Sequence, residues 1–162
     1  MVRKARIEDA QAIHALLNHY AGEGIMLSAS LAEVYEYIRS FYVYELDGAV
    51  VGTVRLQIFW ADLAEIRSLA VSGAAEGRGI GRELVQSCLD EGRQLGLRRI
   101  FALTYKPGFF KKLGFVEIDK TTLPQKIWRD CVKCSKFPEC DETAVAIELD
   151  QTGGGDENCR KT

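Results

Sequence analysis

Between Leu69 and Leu84 the chain reads LAVSGAAEGRGIGREL, an apolar strand-like run, then glycines at 73, 77, 79 and 81, then the start of an amphipathic segment. No other stretch so narrows the folds open to it. A β-rich run that ends in glycines and feeds a helix describes a strand–turn–helix unit of an α/β protein. Ile80, Leu84, Val85, Cys88, Leu89 and Leu95 fall on one face of that helix, and Gly96 supplies a left-handed stop. Backbone N–H groups in such a turn converge with the positive end of the helix, which favours an anion. A pyrophosphate is the natural guest.

Spacing separates the nucleotide folds that such a turn could serve. A phosphate-binding loop of the NTPase kind needs Gly-Lys-Ser/Thr at the helix start, but this chain has Gly81-Arg82-Glu83, without a hydroxyl for magnesium. A dinucleotide fingerprint would want a third glycine at Arg82 and an acidic residue ending the next strand, where Thr104 and Tyr105 stand. The first reading fails and the second is poorly met.

The remaining segments supply more strands and helices. Val2–Arg6 reads as a short strand, and Glu8 to Tyr20 carries Ala10, Ile13, Leu16, Leu17 and Tyr20 at helical spacing. Ser30 and Glu33 match a capping box, which predicts a helix over Leu31–Arg39. Runs 41–46 and 49–59 flank Asp47-Gly48, a dipeptide suited to a two-residue hairpin. Strands are expected at 64–71, 98–105, 115–119 and 143–150, with a short helix from Pro107 to Gly114. Residues 1–150 then form one domain. Residues 151–162, with three consecutive glycines and no apolar period, read as a mobile tail.

Composition bounds the partners. The 162 residues include 21 Lys and Arg against 23 Asp and Glu, a formal charge of −2, so the basic excess needed to grip a phosphate backbone is missing and nucleic acid is not expected. No apolar run approaches the ~20 residues of a membrane span, so no membrane partner is expected. MVRKARIEDA lacks the apolar stretch of a secretory leader, which predicts a cytoplasmic protein. Five cysteines without an export signal read as reduced thiols. Three of them form Cys131-x2-Cys134-x5-Cys140, but a structural zinc site usually has two complete ligand pairs, so no metal is expected and packing or a disulfide is the plainer account.

Gly79-Ile80-Gly81 after Leu69-Ala70-Val71 resembles the pyrophosphate motif of the GNAT superfamily of N-acetyltransferases, commonly Arg/Gln-x-x-Gly-x-Gly/Ala. The first motif position departs from the pattern because it is Glu76, so Arg78 or Arg82 would have to supply positive charge. The order of elements from Val2 to Leu149 also resembles the superfamily's. The resemblance implies an α/β (α+β) fold, with a mixed central sheet of about six to seven strands flanked by helices. It implies acetyl-CoA as co-substrate: Leu69, Ala70 and Val71 would pair with pantetheine, Gly77, Arg78, Gly79, Ile80, Gly81 and Arg82 would hold the pyrophosphate, and Phe110 would line the cofactor site.

Acetyl transfer to an amine needs a neutral nucleophile, a donor for the developing oxyanion and a route for the thiolate to leave. Ala64-Glu65-Ile66 resembles the segment in which histone acetyltransferases of the superfamily carry a catalytic glutamate, so Glu65 is the candidate base. Strand alternation predicts Glu65, Arg67 and Leu69 on one face, which sets a cation beside that base. Such a neighbour weakens a carboxylate as a base but also seats an anionic substrate. The Leu69 N–H is the implied oxyanion donor. Many relatives place an acidic tyrosine where this chain has Phe110, which leaves Tyr105 as the candidate acid, or a departure of the thiolate unassisted or through water.

KTTLPQKIWRDCVKCSKFPECDE, together with Phe41 to Glu45 and the Phe109-Phe110 pair, resembles stand-alone acetyltransferase forms of bacterial N-acetylglutamate synthases. That likeness implies transfer to the α-amine of an amino acid, L-glutamate first, within arginine biosynthesis. A homodimer is possible by the same likeness. Two carboxylates call for cations, and Arg67, Arg3, Arg6 and Lys126 are the candidates. Another small amine or a protein N-terminus remains open as acceptor. So does a catalytically idle acetyl-CoA sensor, which Glu76 and Phe110 would favour.

Overall fold

The computed structural model describes residues 1–22, 29–123 and 142–149. The chain enters as strand β1 (Val2–Lys4), a 3₁₀ turn (Ile7–Asp9) and helix α1 (Ala10–Gly22). Helix α2 (Leu31–Glu36) is shorter than predicted. Ser30 Oγ accepts from the Glu33 N–H, as a cap should, but Tyr37 leaves the helical region at φ −103° and ψ 16°, and Ile38–Ser40 continue as a separate 3₁₀ turn.

Strands β2 (Phe41–Leu46) and β3 (Ala49–Trp60) form the predicted hairpin. Asp47 and Gly48 both take positive φ, 51° and 80°, the requirement of a turn whose twist matches the strands. After β4 (Leu63–Val71) come a 3₁₀ turn at Gly73–Ala75 and helix α3 (Ile80–Leu95). Gly96 stops α3 at φ 82°, and the Leu97 N–H reaches back to the Gly92 carbonyl at 2.9 Å. Strand β5 (Arg99–Thr104), helix α4 (Pro107–Lys112), β6 (Val116–Ile118) and β7 (Thr143–Glu148) complete the described chain. The expected tail, Lys126 and Cys131, Cys134 and Cys140 lie outside the described residues.

Among the described residues seven strands form one sheet in the order β1-β2-β3-β4-β5-β7-β6. Every pairing is antiparallel except β4 with β5, so the sheet is mixed as anticipated. Helices cover both faces. Ile80, Leu84, Val85, Cys88 and Leu89 of α3 pack on Val54, Leu56, Ala64 and Ile66, while α1 and α2 cover Phe41, Val43 and Ala70 on the other face. Leu95, the last residue of α3, departs from its predicted place in the core and is 54% exposed, whereas Leu97, beyond the Gly96 stop, is buried there. Cys88 sits wholly inside, where burial pushes its thiol up to about 12.

Two glycines are required by close packing. A Cβ at Gly52 on β3 would come within 3.0 Å of Leu84 and 3.1 Å of Ile80, so its absence lets α3 lie against the sheet. A Cβ at Gly92 would meet Ile100 at 2.7 Å and Leu149 at 2.9 Å.

Candidate active site

Strands β4 and β5 pair over only three positions, Leu63 with Arg99, Ala64 with Ile100 and Glu65 with Phe101. Beyond Glu65 the two strands diverge, and β4 from Ile66 to Val71 faces a cleft instead of a neighbouring strand. The cleft has a volume of about 510 Å³ and is walled by that edge, by Ala102–Lys106, and by the turn and first residues of α3. Phe109 and Phe110 close one side and Tyr20 of α1 another.

A bulge shapes the β4 edge. Thr53 pairs with Ala70 and Arg55 with Arg67, so two residues of β4, Ser68 and Leu69, oppose the single Val54. Ser68 takes φ 56°, a region that a non-glycine residue seldom occupies. The extra residue inverts the side-chain alternation beyond it. Glu65 and Arg67 share a face as predicted, but Leu69 does not join them: it packs with Val71 against the α3 core, while Ala70 turns to the α1 side. Simple period-two counting has no means of registering one inserted residue.

Gly77 and Gly79 take φ 79° and 77°, and a Cβ on either would meet nothing within 4 Å, so their role is conformational. The first intrahelical bond of α3 runs from the Glu83 N–H to the Gly79 carbonyl at 3.1 Å. The N–H groups of Ile80, Gly81 and Arg82 precede it and have no acceptor within their own helix. They open on the cleft, where a Cβ at Gly81 would press on Phe109 at 3.3 Å. This cradle suits the diphosphate of a coenzyme and has no built metal cage: the described residues contain no group of three or more His, Cys, Asp or Glu side chains able to hold an ion.

The sequence candidates divide by position. Leu69, Ala70, Val71, Gly77, Gly79, Ile80, Gly81, Arg82, Arg67, Tyr105 and Phe110 line the cleft, whereas Arg78 is not part of its wall. Phe110 is buried and packs edge-on to Phe109 and Phe115. Glu65 lies just behind the wall, 5% exposed, with its Oε1 2.9 Å from Arg67 Nε. Arg6 pairs with Glu8 at 2.9 Å on the exposed entry to α1 and does not line the cleft. Arg3 is committed to structure: it grips Asp9 at 2.7 and 2.9 Å and Glu45 at 3.0 Å, and holds the Asp9 carboxyl below the ordinary range.

Two wall residues and one cross-strand neighbour of Arg67 were missed. Tyr20 donates its hydroxyl to the Val71 carbonyl and lies 3.3 Å from Glu76 Oε1, so α1 is tied to the end of β4. Its helical spacing marks it as core, and nothing local marks its hydroxyl for the cleft. Glu142 reaches the wall from just before β7. Arg55 sits on β3, directly across from Arg67. The alternation Thr53, Arg55, Gln57 against Val54, Leu56, Ile58 was a usable signal for that polar face.

Residues 11–115 match the description "Acetyltransferase (GNAT) family". The chain belongs to this family. As a GNAT enzyme it is an acetyl-CoA-dependent N-acetyltransferase, and the splayed strands and glycine turn are the part of its fold suited to that co-substrate. It is 46% identical over 148 residues to an uncharacterized N-acetyltransferase of Chlorobaculum tepidum, covering 91% of this chain and 96% of that one. It is 41% identical over 131 residues to an amino-acid acetyltransferase of Mycobacterium tuberculosis, covering 79% and 75%. Among solved structures, N-acetylglutamate synthase of Neisseria gonorrhoeae, complexed with coenzyme A and N-acetyl-glutamate, superposes with a TM-score of 0.85 at 29% identity. The match covers 93% of this GNAT chain but only 35% of that longer one.

Proposed function

We propose that this GNAT enzyme transfers the acetyl group of acetyl-CoA to the α-amine of an acidic amino acid, L-glutamate first, as in the opening of arginine biosynthesis. The observation that carries the reading is the Glu65–Arg67 pair, a buried carboxylate and a guanidinium on one strand face, with Arg67 in the cleft wall beside the point where β4 and β5 part. The 41% identity to an amino-acid acetyltransferase supports the same acceptor class.

In this reading the pantetheine arm lies along Leu69, Ala70 and Val71, adding a strand-like partner in the gap. The N–H groups from Gly77 to Arg82 take the diphosphate, where the α3 dipole and the Arg82 side chain favour negative charge. The acceptor α-carboxylate meets Arg67. Glu65, behind the wall, takes the ammonium proton through an intervening water, since direct transfer requires hydrogen-bond contact. The neutral amine attacks the thioester carbonyl, and the oxyanion forms against the Leu69 N–H at the Ser68 bulge. Collapse of the tetrahedral adduct breaks the C–S bond, the departing thiolate takes a proton from Tyr105, and the proton shed by the acylated nitrogen restores the Tyr105 hydroxyl. The products are the N-acetylated amino acid, CoA thiol and the proton passed to Glu65. Arg6 takes no part, being paired with Glu8 on the surface.

Thiol release from acetyl-CoA, measured against each of the twenty amino acids, tests the reading. Glutamate should give the highest kcat/KM. Release with another amine and none with any acidic amino acid would replace this acceptor; tight acetyl-CoA binding without release under any amine would make the protein a sensor.

A further inference from the structure

The cleft wall carries opposite formal charges at the two ends of the glycine turn. Arg82 lines it from the first turn of α3, and Glu76 lines it immediately before Gly77, whereas Arg78 does not line it. Glu76 closes the 3₁₀ turn that follows β4, its N–H donating to the Gly73 carbonyl at 3.4 Å. Its side chain reaches across to α1: Oε1 lies 3.3 Å from the Tyr20 hydroxyl, which also donates to the Val71 carbonyl at the end of β4. The carboxylate is thereby anchored beside the seat proposed for the diphosphate. Glu76 is exposed, so water and salt moderate its charge without cancelling it.

A carboxylate and a diphosphate repel, and Coulomb energy falls only as the inverse of distance, so the effect does not require contact. We propose that Glu76 is an affinity-determining residue that weakens the grip of the glycine turn on the coenzyme diphosphate, so that spent CoA leaves after each transfer. Arg82 and the α3 dipole attract the same group, and Glu76 sets the balance. The diphosphate does not change during the reaction, so the repulsion acts alike on acetyl-CoA, on the transition state and on CoA. It raises KM and hastens product loss without altering the chemical step. The inference rests on the diphosphate seat proposed above and adds what limits its hold.

The test is calorimetry of CoA with the wild type, Glu76→Gln and Glu76→Lys. Glu76→Gln nearly preserves shape and keeps an oxygen that accepts from Tyr20, so it removes charge and little else. At about 10 mM salt, where the screening length is about 30 Å, it should bind CoA about 3–10-fold more tightly than wild type. Near 1 M salt, where that length is about 3 Å, the gain should vanish. Glu76→Lys changes the charge by twice as much and should tighten CoA further. S-acetylpantetheine, which lacks the diphosphate, should bind all three proteins alike. Equal or weaker CoA binding by Glu76→Gln at low salt, a gain that persists at high salt, or the same gain for S-acetylpantetheine overturns the inference.

Because CoA binding is measured without an acceptor, the result stands whichever amine is acetylated. Hydrogen exchange separates the inference from the seat on which it rests. CoA that slows exchange across Gly77–Glu83 in a Glu76→Gln protein of unchanged affinity refutes the inference alone. CoA that slows nothing there, in wild type or variant, refutes the seat and the inference together.

Discussion

Arg67 Nε and Glu65 Oε1 are 2.9 Å apart, on the same face of β4 and one residue short of the Ser68 bulge. The pair is enclosed, with side-chain exposures of 20% and 7%. Removing one partner therefore has a different consequence from neutralising the other.

Arg67→Ala takes a cation from beside a buried carboxylate and should cost about 3 kcal/mol of stability as well as acceptor binding. Glu65→Gln retains an oxygen that accepts from Arg67 and should unfold at nearly the wild-type urea concentration, while kcat falls about 100-fold and its rise toward alkaline pH flattens. Chemical denaturation and pH–rate profiles of both variants check this. Unchanged turnover in Glu65→Gln would remove that residue from the proton path.

The glycine turn offers a second separation of binding from stability. Gly81 lies in the first turn of α3, where alanine is a better helix former by about 1 kcal/mol, but its Cβ would meet Phe109 at 3.3 Å in the cleft. Gly81→Ala should keep or slightly raise the melting temperature and raise KM for acetyl-CoA about 3–10-fold. A variant that binds the co-substrate as wild type does would show that the Phe109 wall is not part of its seat.

Much of this site was legible because it is local. The glycines of the turn, the Gly96 stop, the Asp47-Gly48 hairpin and Pro107 at the head of α4 each declare their conformation through one residue's backbone freedom. The Ser68 bulge and the Arg55–Arg67 register were not legible in the same way. Both depend on how β3 and β4 align, a relation between residues distant in sequence, and a single inserted residue moved Leu69 to the opposite face. Tyr20 was hidden for a related reason: its ring belongs to the helix pattern, and only packing of α1 on the sheet brings its hydroxyl to Val71.

Acid stability should depend on Asp9. Its carboxylate accepts from Arg3 at 2.7 and 2.9 Å and from the Arg6 N–H at 2.7 Å, and these bonds, Arg3 first, hold it below the usual carboxylate range. A depressed folded-state pKa adds stability above the unfolded value of about 3.9, and that stability is lost as pH falls through the lower folded value. Asp9→Asn should lose about 2–3 kcal/mol at pH 7 and show a shallower decline between about pH 5 and pH 2 than wild type. Urea midpoints across that range decide it; parallel curves would contradict the assignment.

Cys88 should be inert in the folded enzyme. Its thiol is fully buried beneath α3 and pushed up to about 12 by burial, so almost no thiolate exists at pH 8. Iodoacetamide followed by peptide mapping should leave the Cys88 peptide unlabelled until denaturant is added. Labelling of the native protein at the rate of a free thiol would mean that α3 opens readily from the sheet.

In the proposed reading acetyl-CoA fills the gap where β4 and β5 part and is held by main-chain amides. Hydrogen exchange read by mass spectrometry, with and without CoA, tests it most directly. Bound CoA should slow exchange across Leu69–Val71 and Gly77–Glu83 and leave β1 and β2 unchanged. Saturating CoA that leaves both segments exchanging as in the free protein would contradict it.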